Sequence, residues 1–107
     1  MEIIFHTHHA NISDSMRRRV ESSVRRIAMR LNHAVDAILR FEQDGPVKRV
    51  EIVLHAPRQR DLVARAEGRY FGPAIAAANG RLGAQIRILQ RRRRTARRAT
   101  AEKAAAI

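Results

Sequence analysis

The chain has no cysteine and no tryptophan, and its 107 residues include only four aromatics, Phe5, Phe41, Tyr70 and Phe71. Without cysteine, disulfides, zinc knuckles and thiol nucleophiles are excluded. No apolar run approaches the ~18 residues of a membrane span. Met1–Phe5 is too short for a signal peptide, and its first charge is Glu2. A cytoplasmic location is therefore the default expectation. No Gly-rich phosphate loop and no nucleophile elbow is present. Lysine is nearly missing too: of 22 basic residues only Lys48 and Lys103 are lysine.

What is present is arginine. The 22 basic residues face 10 acidic ones, a formal charge of +12. Such an excess strains a compact state by self-repulsion, and a polyanion against the surface relieves it. The planar guanidinium fork suits phosphate bidentately. Residues 91–107 carry six arginines, Lys103 and Glu102, a net of +6, so residues 1–90 carry the other +6. The folded part is basic without the tail. A 45% apolar composition at this length supports one small core and no second domain.

Periodicity predicts the elements. Glu2–His8 alternates as a strand, with Ile3 and Phe5 on one face. Ser13-Asp14 is a helix start, the hydroxyl accepting from a free amide and the carboxylate suiting the dipole. Met16, Val20, Val24, Ile27 and Leu31 then make a helical stripe that Asn32-His33 ends. Val35, Ala37, Leu39 and Phe41 form the inner face of a second strand, Val50, Ile52 and Leu54 of a third, and Leu62, Ala64 and Ala66 of a fourth. Gln43–Pro46 and Pro57–Asp61 are turns, and Gly68 breaks the last strand. A final helix carries Phe71, Ile75, Ala78, Leu82, Ile86 and Leu89, with Pro73 in its first turn. Gly80 and Gly83 each cost it about 1 kcal/mol against alanine, so it depends on packing. Beyond Arg91 the stripe vanishes, and residues 91–107 are expected to be a frayed helix or a disordered arm.

The expected fold is α+β, in the order β-α-β-β-β-α: a four-stranded sheet with two helices packed on one face. Residues 1–90 form the domain and 91–107 a basic tail. At about 100° per residue, Arg19, Arg26 and Arg30 share one flank of the first helix, at intervals of about 10 and 6 Å. Arg18 and Arg25 fall on its back. On the last helix Arg81 and Arg92 share a flank, and Arg87, Arg91 and Arg94 fall on the back. If the helices lie side by side, these flanks border a common basic groove. Between Arg17 and Arg30 only Glu21 offsets six arginines, which favours nucleic-acid contact over a merely solvated face. Three of the four aromatics fall on core faces, leaving Tyr70. A base-stacking platform is not expected, and recognition of backbone and shape in structured RNA is.

The run Ile12-Ser13-Asp14-Ser15-Met16-Arg17-Arg18-Arg19-Val20 resembles the first-helix start of the ribosome hibernation factor family (hibernation promoting factor, ribosome-associated inhibitor A, sigma-54 modulation proteins). Ile3, Phe5, Val50–Pro57, Leu62–Glu67, Ala74-Ile75, Arg81-Leu82 and Gln85-Ile86-Arg87 continue the likeness over about residues 2–90. Its weight lies in spacing and element order, not in one sharp motif. The resemblance implies a β-α-β-β-β-α fold and binding to rRNA of the small ribosomal subunit, in the mRNA and tRNA channel, with translation blocked during stress and no chemistry. It places family basic positions at Arg17, Arg18, Arg26, Arg30, Arg81 and Arg87. Arg19, Arg25, Arg91, Arg92 and Arg94 join them as RNA-binding candidates by charge and flank. The length implies a short member without the dimerisation domain of long ones. Residues 68–72 read Gly-Arg-Tyr-Phe-Gly, where the family usually has an acidic segment with an aromatic.

Other readings remain beside it. Gly45-Pro46 before a strand and Glu67-Gly68-Arg69 before an alanine-rich helix are similar to landmarks of double-stranded-RNA-binding domains. Against that, Lys48 or Arg49 stands where that family has histidine, Tyr70–Ala74 replaces its lysine-rich helix start, and it has no leading strand. For an enzyme the candidates are His6, His8, His9, His33 and His55. His6 and His8 share a strand face as a conceivable metal pair, but no third ligand has suitable spacing. No catalysis, cofactor or small-molecule substrate is expected. A basic amphipathic membrane binder is disfavoured because the sheet uses both apolar stripes.

Overall fold

A computed structural model describes residues 1–31 and 33–105. The elements are β1 (Glu2–His8), α1 (Asp14–Ala28), β2 (Asp36–Asp44), β3 (Val47–His55), β4 (Leu62–Gly68) and α2 (Phe71–Ala105). The sheet order is β1-β2-β3-β4, with β1 parallel to β2 and the other two pairings antiparallel. The expected order of strands and helices is the one observed. The leading strand is integral to the sheet, paired with β2 from Glu2↔Asp36 to His8↔Glu42.

Alternation decides the layers. Ala37, Leu39 and Phe41 of β2, Val50, Ile52 and Leu54 of β3, and Ala64 and Ala66 of β4 are buried beneath the helices. Val20, Val24 and Ala28 of α1 and Phe71, Ala74, Ile75, Ala78, Leu82 and Ile86 of α2 close the core from above. Phe41 stacks beside Phe5 at 6.2 Å and meets Phe71 edge-on at 5.8 Å, so three of the four aromatics are core residues as expected. At the β2–β3 hairpin Gly45 adopts φ 58°, the positive value that a two-residue turn of the II′ pattern needs at its first central position.

Two boundaries differ from the sequence reading, and a third that it left open is fixed. Helix α1 starts where expected, the Ser13 hydroxyl accepting from the Met16 amide at 3.1 Å, but ends at Ala28. Its last turn tightens: Arg30 N–H donates to Ile27 O and Leu31 N–H to Ala28 O, which still delivers Leu31 to the core. Asn32, part of the expected stop, lies outside the described residues. Val35 is 55% exposed rather than an inner-face residue. It precedes β2 and contributes its backbone, donating to His55 O and accepting from Glu2 N–H. Finally, of the two expectations beyond Arg91, a frayed helix or a disordered arm, α2 takes the helical one. After Gly83 the sequence is mostly alanine, arginine and glutamine, residues of high helix propensity, and the helix continues to Ala105. Its C-terminal part is exposed and extends the molecule to 62 Å along its longest axis.

Candidate nucleic-acid interface

Helices α1 and α2 run side by side in the same direction. Asn79 Nδ2–H donates to Ser23 Oγ at 2.9 Å, and further along Gln90 Nε2–H donates to the Arg30 carbonyl. The Ser23 hydroxyl in turn donates to Val20 O at 2.9 Å, fixing its lone pair toward Asn79. These contacts identify the facing flanks. Arg19, Arg26 and Arg30 lie within about 60° of Ser23 on the α1 wheel, so the row read from the sequence borders α2. All three are exposed.

From α2 the opposing residues are not the expected pair. Arg81 donates to the Arg65 carbonyl and Gln85 to the Val63 carbonyl at 2.7 Å, both on β4. Arg81 therefore caps the free edge of β4, on the flank away from α1. Arg92, eleven residues on, lies about 20° from the same line and shares that flank. The wall facing α1 is made by Arg94 and Arg97, which with Arg30, Gln90 and Arg93 line a hollow of about 410 Å³. Arg93 also reaches across to Gln59 Oε1 at 2.8 Å, in the loop after β3. Arg87 stands on the shoulder of this trough, its guanidinium beside Gly83, where an added Cβ would lie 3.6 Å from it. Gly83 is buried and Arg87 folds over it. The sequence reading missed Arg93 and Arg97. The signal was available: Arg97 follows Gln90 by seven residues and so continues its flank.

The remaining candidates lie elsewhere. The Arg17 guanidinium sits 5.4 Å from the Phe5 ring centroid, and Arg25 donates to the Met1 carbonyl at 2.7 Å and pairs with Glu21 at 2.9 Å. Both face β1. Arg18 and Arg91 fall on the outer backs of their helices and are exposed.

Charge is sorted between the two faces of the molecule. Glu51 pairs with Arg40 and Arg65, Glu67 and Asp44 with Arg49, and Asp36 and Asp61 with His55, all on the strands and their loops. The hydrogen bond that Arg49 Nε–H donates to the Glu67 carboxylate raises the Arg49 pKa above its ordinary value. Among the described residues Glu21 is the one acid engaged by a helix arginine. Among the described residues no carboxylate lies within ion-pair distance of Arg19, Arg26, Arg30, Arg87, Arg94 or Arg97. Among the described residues no group of three or more His, Cys, Asp or Glu side chains is gathered for a metal, and no helix is long and apolar enough to cross a membrane.

A sheet whose acids pair with Arg40, Arg49 and Arg65, beneath two parallel helices on which Arg25 alone meets a carboxylate among the described residues, defines a basic α+β protein with an arginine-rich helical face. The family follows from comparison. Residues 3–94 match the model of the Sigma 54 modulation protein / S30EA ribosomal protein family, and the chain belongs to that family of ribosome-associated proteins. A ribosomal subunit interface protein from Coxiella burnetii is similar in structure, with a TM-score of 0.77 at 19% identity, covering 84% of this chain and 98% of that one. The N-terminal domain of Protein Y from Thermus thermophilus is also similar, with a TM-score of 0.70 at 23% identity over 82% of this chain and 94% of that one. No single curated protein matches the sequence significantly.

Proposed function

We propose that the protein binds the small ribosomal subunit, laying the trough between α1 and α2 on rRNA of the mRNA and tRNA channel, and so holds ribosomes inactive under stress without catalysing a reaction. The site of action is the cytoplasm. One observation carries this reading: Arg30, Arg93, Arg94 and Arg97 converge from two helices on one hollow with no carboxylate among them. A guanidinium row without counter-charges is costly unless a phosphate backbone supplies them. Membership of a ribosome-associated family supports reading that backbone as rRNA. Arg19, Arg26 and Arg87 extend the contact along the helix pair, with Arg17 and Arg18 at its outer margin.

The test is sedimentation of a cell extract through a sucrose gradient at low salt, with translation followed in a cell-free system. The protein is expected in the small-subunit or whole-ribosome fractions and to lower translation in proportion to its occupancy. Recovery only at the top of the gradient would overturn the reading.

A further inference from the structure

Tyr70 is the one aromatic that the core leaves out, and it is 68% exposed. It lies just before the first residue of α2, next to the β2–β3 hairpin, and with Gly45, Pro46, Lys48, Glu67 and Arg69 it borders an open hollow of about 670 Å³. That volume lies within the ~300–1,000 Å³ typical of small-ligand sites. Two cations without ion-pair partners among the described residues adjoin the ring. Lys48 Nζ lies 5.9 Å from the Tyr70 centroid and 5.3 Å from that of Phe71, and Arg69 is exposed beside it. Lys48 is the only lysine among residues 1–90. It springs from the helix-facing side of β3, opposite Gly68, and is half-buried along the two rings.

An exposed ring flanked by unpaired cations and backed by an open hollow meets the two needs of a nucleotide: a surface for the base and charge for the phosphate. We infer that Tyr70, Lys48 and Arg69 form a second binding site that takes one unpaired nucleotide of RNA, the base stacking on Tyr70 and the flanking phosphate lying between Lys48 and Arg69. The site is separate from the arginine trough. Tyr70 and Arg94 are 24 helical positions apart, or about 36 Å along α2. A base stacked between neighbours inside a duplex cannot offer its face to the ring, so away from helix ends the site selects a bulged, looped or single-stranded nucleotide. This rests on reading the partner as RNA, and it adds a local preference that the trough, which meets only the backbone, does not have.

The chain supplies its own probe, since Tyr70 is its only tyrosine and tryptophan is absent. Titrating the whole protein with an eight-nucleotide oligoadenylate should quench tyrosine fluorescence saturably, by half or more, while an eight-base-pair RNA duplex with both ends closed by covalent linkers quenches little. Fluorescence polarisation of a labelled oligoadenylate should show Tyr70→Ala binding at least about fivefold more weakly. Tyr70→Phe and Tyr70→Trp should keep wild-type affinity, and Lys48→Gln/Arg69→Gln should lose affinity while the ring remains. Equal quenching by duplex, no quenching at saturation, or a Tyr70→Ala variant as tight as wild type would overturn the site. Those outcomes leave ribosome sedimentation untouched, and loss of sedimentation with quenching retained would overturn the proposed function instead.

Discussion

Asn79 donates a 2.9 Å hydrogen bond to the hydroxyl of Ser23, 56 residues earlier in the chain, and this part-buried contact ties the two helices at the floor of the arginine trough. Helices carrying so many like charges repel one another, so a polar tie there has both structural and functional consequences. Asn79→Ala removes the donor and leaves the Ser23 lone pair unsatisfied, at a cost of about 1 kcal/mol. Thermal unfolding should show a melting temperature lower by about 4–8 °C, as expected for a domain of this size.

The core should respond more strongly. Leu82 is fully buried between α2 and the sheet. Truncation to alanine leaves a cavity and should cost about 2–5 kcal/mol in denaturant unfolding. Leu89→Ala, at a partly buried position nearer the end of the stripe, should cost clearly less.

Arg81 and Arg94 sit on the same helix but answer to different partners. Arg81 caps a β4 carbonyl, and Arg94 lines the trough. Arg81→Gln is expected to leave the salt dependence of ribosome binding unchanged and to speed amide exchange along β4. Arg94→Gln should lower the salt slope by about one phosphate contact and leave β4 protected.

Binding itself should be mainly ionic. With about five or six phosphates engaged, log affinity should fall against log salt with a slope between about −3.5 and −5.4. A titration series from low to moderate salt measures it directly, and a flat response would remove the phosphate backbone as the partner.

Much of this was legible in the sequence, and the parts that were not have physical reasons. Alternation at Ala37, Leu39 and Phe41 and the stripe through Val20 and Val24 report burial, which is the main constraint on those positions, and both read correctly. The wheel also grouped Arg19, Arg26 and Arg30. A wheel does not say which flank meets a neighbour, since that depends on how both helices lie across the sheet. So Arg81 and Arg92 were assigned to the groove, whereas Arg81 turns to the β4 edge. Arg93 and Arg97 were passed over because the apolar stripe fades after Leu89, yet helix propensity alone carries α2 onward. The shortened end of α1 escaped notice because Leu31 stays buried whether its turn is α or tighter.

The most direct measurement is co-sedimentation with isolated small ribosomal subunits of two variants that lose the same charge. Arg30→Gln/Arg94→Gln removes two of the four arginines that line the trough hollow, and Arg40→Gln/Arg65→Gln removes two arginines that Glu51 pairs on the opposite face of the sheet. The trough pair is expected to lose at least about tenfold in affinity, roughly 1.4 kcal/mol, while the sheet pair stays close to wild type. Equal losses from both pairs, or a greater loss from the sheet pair, would contradict this expectation.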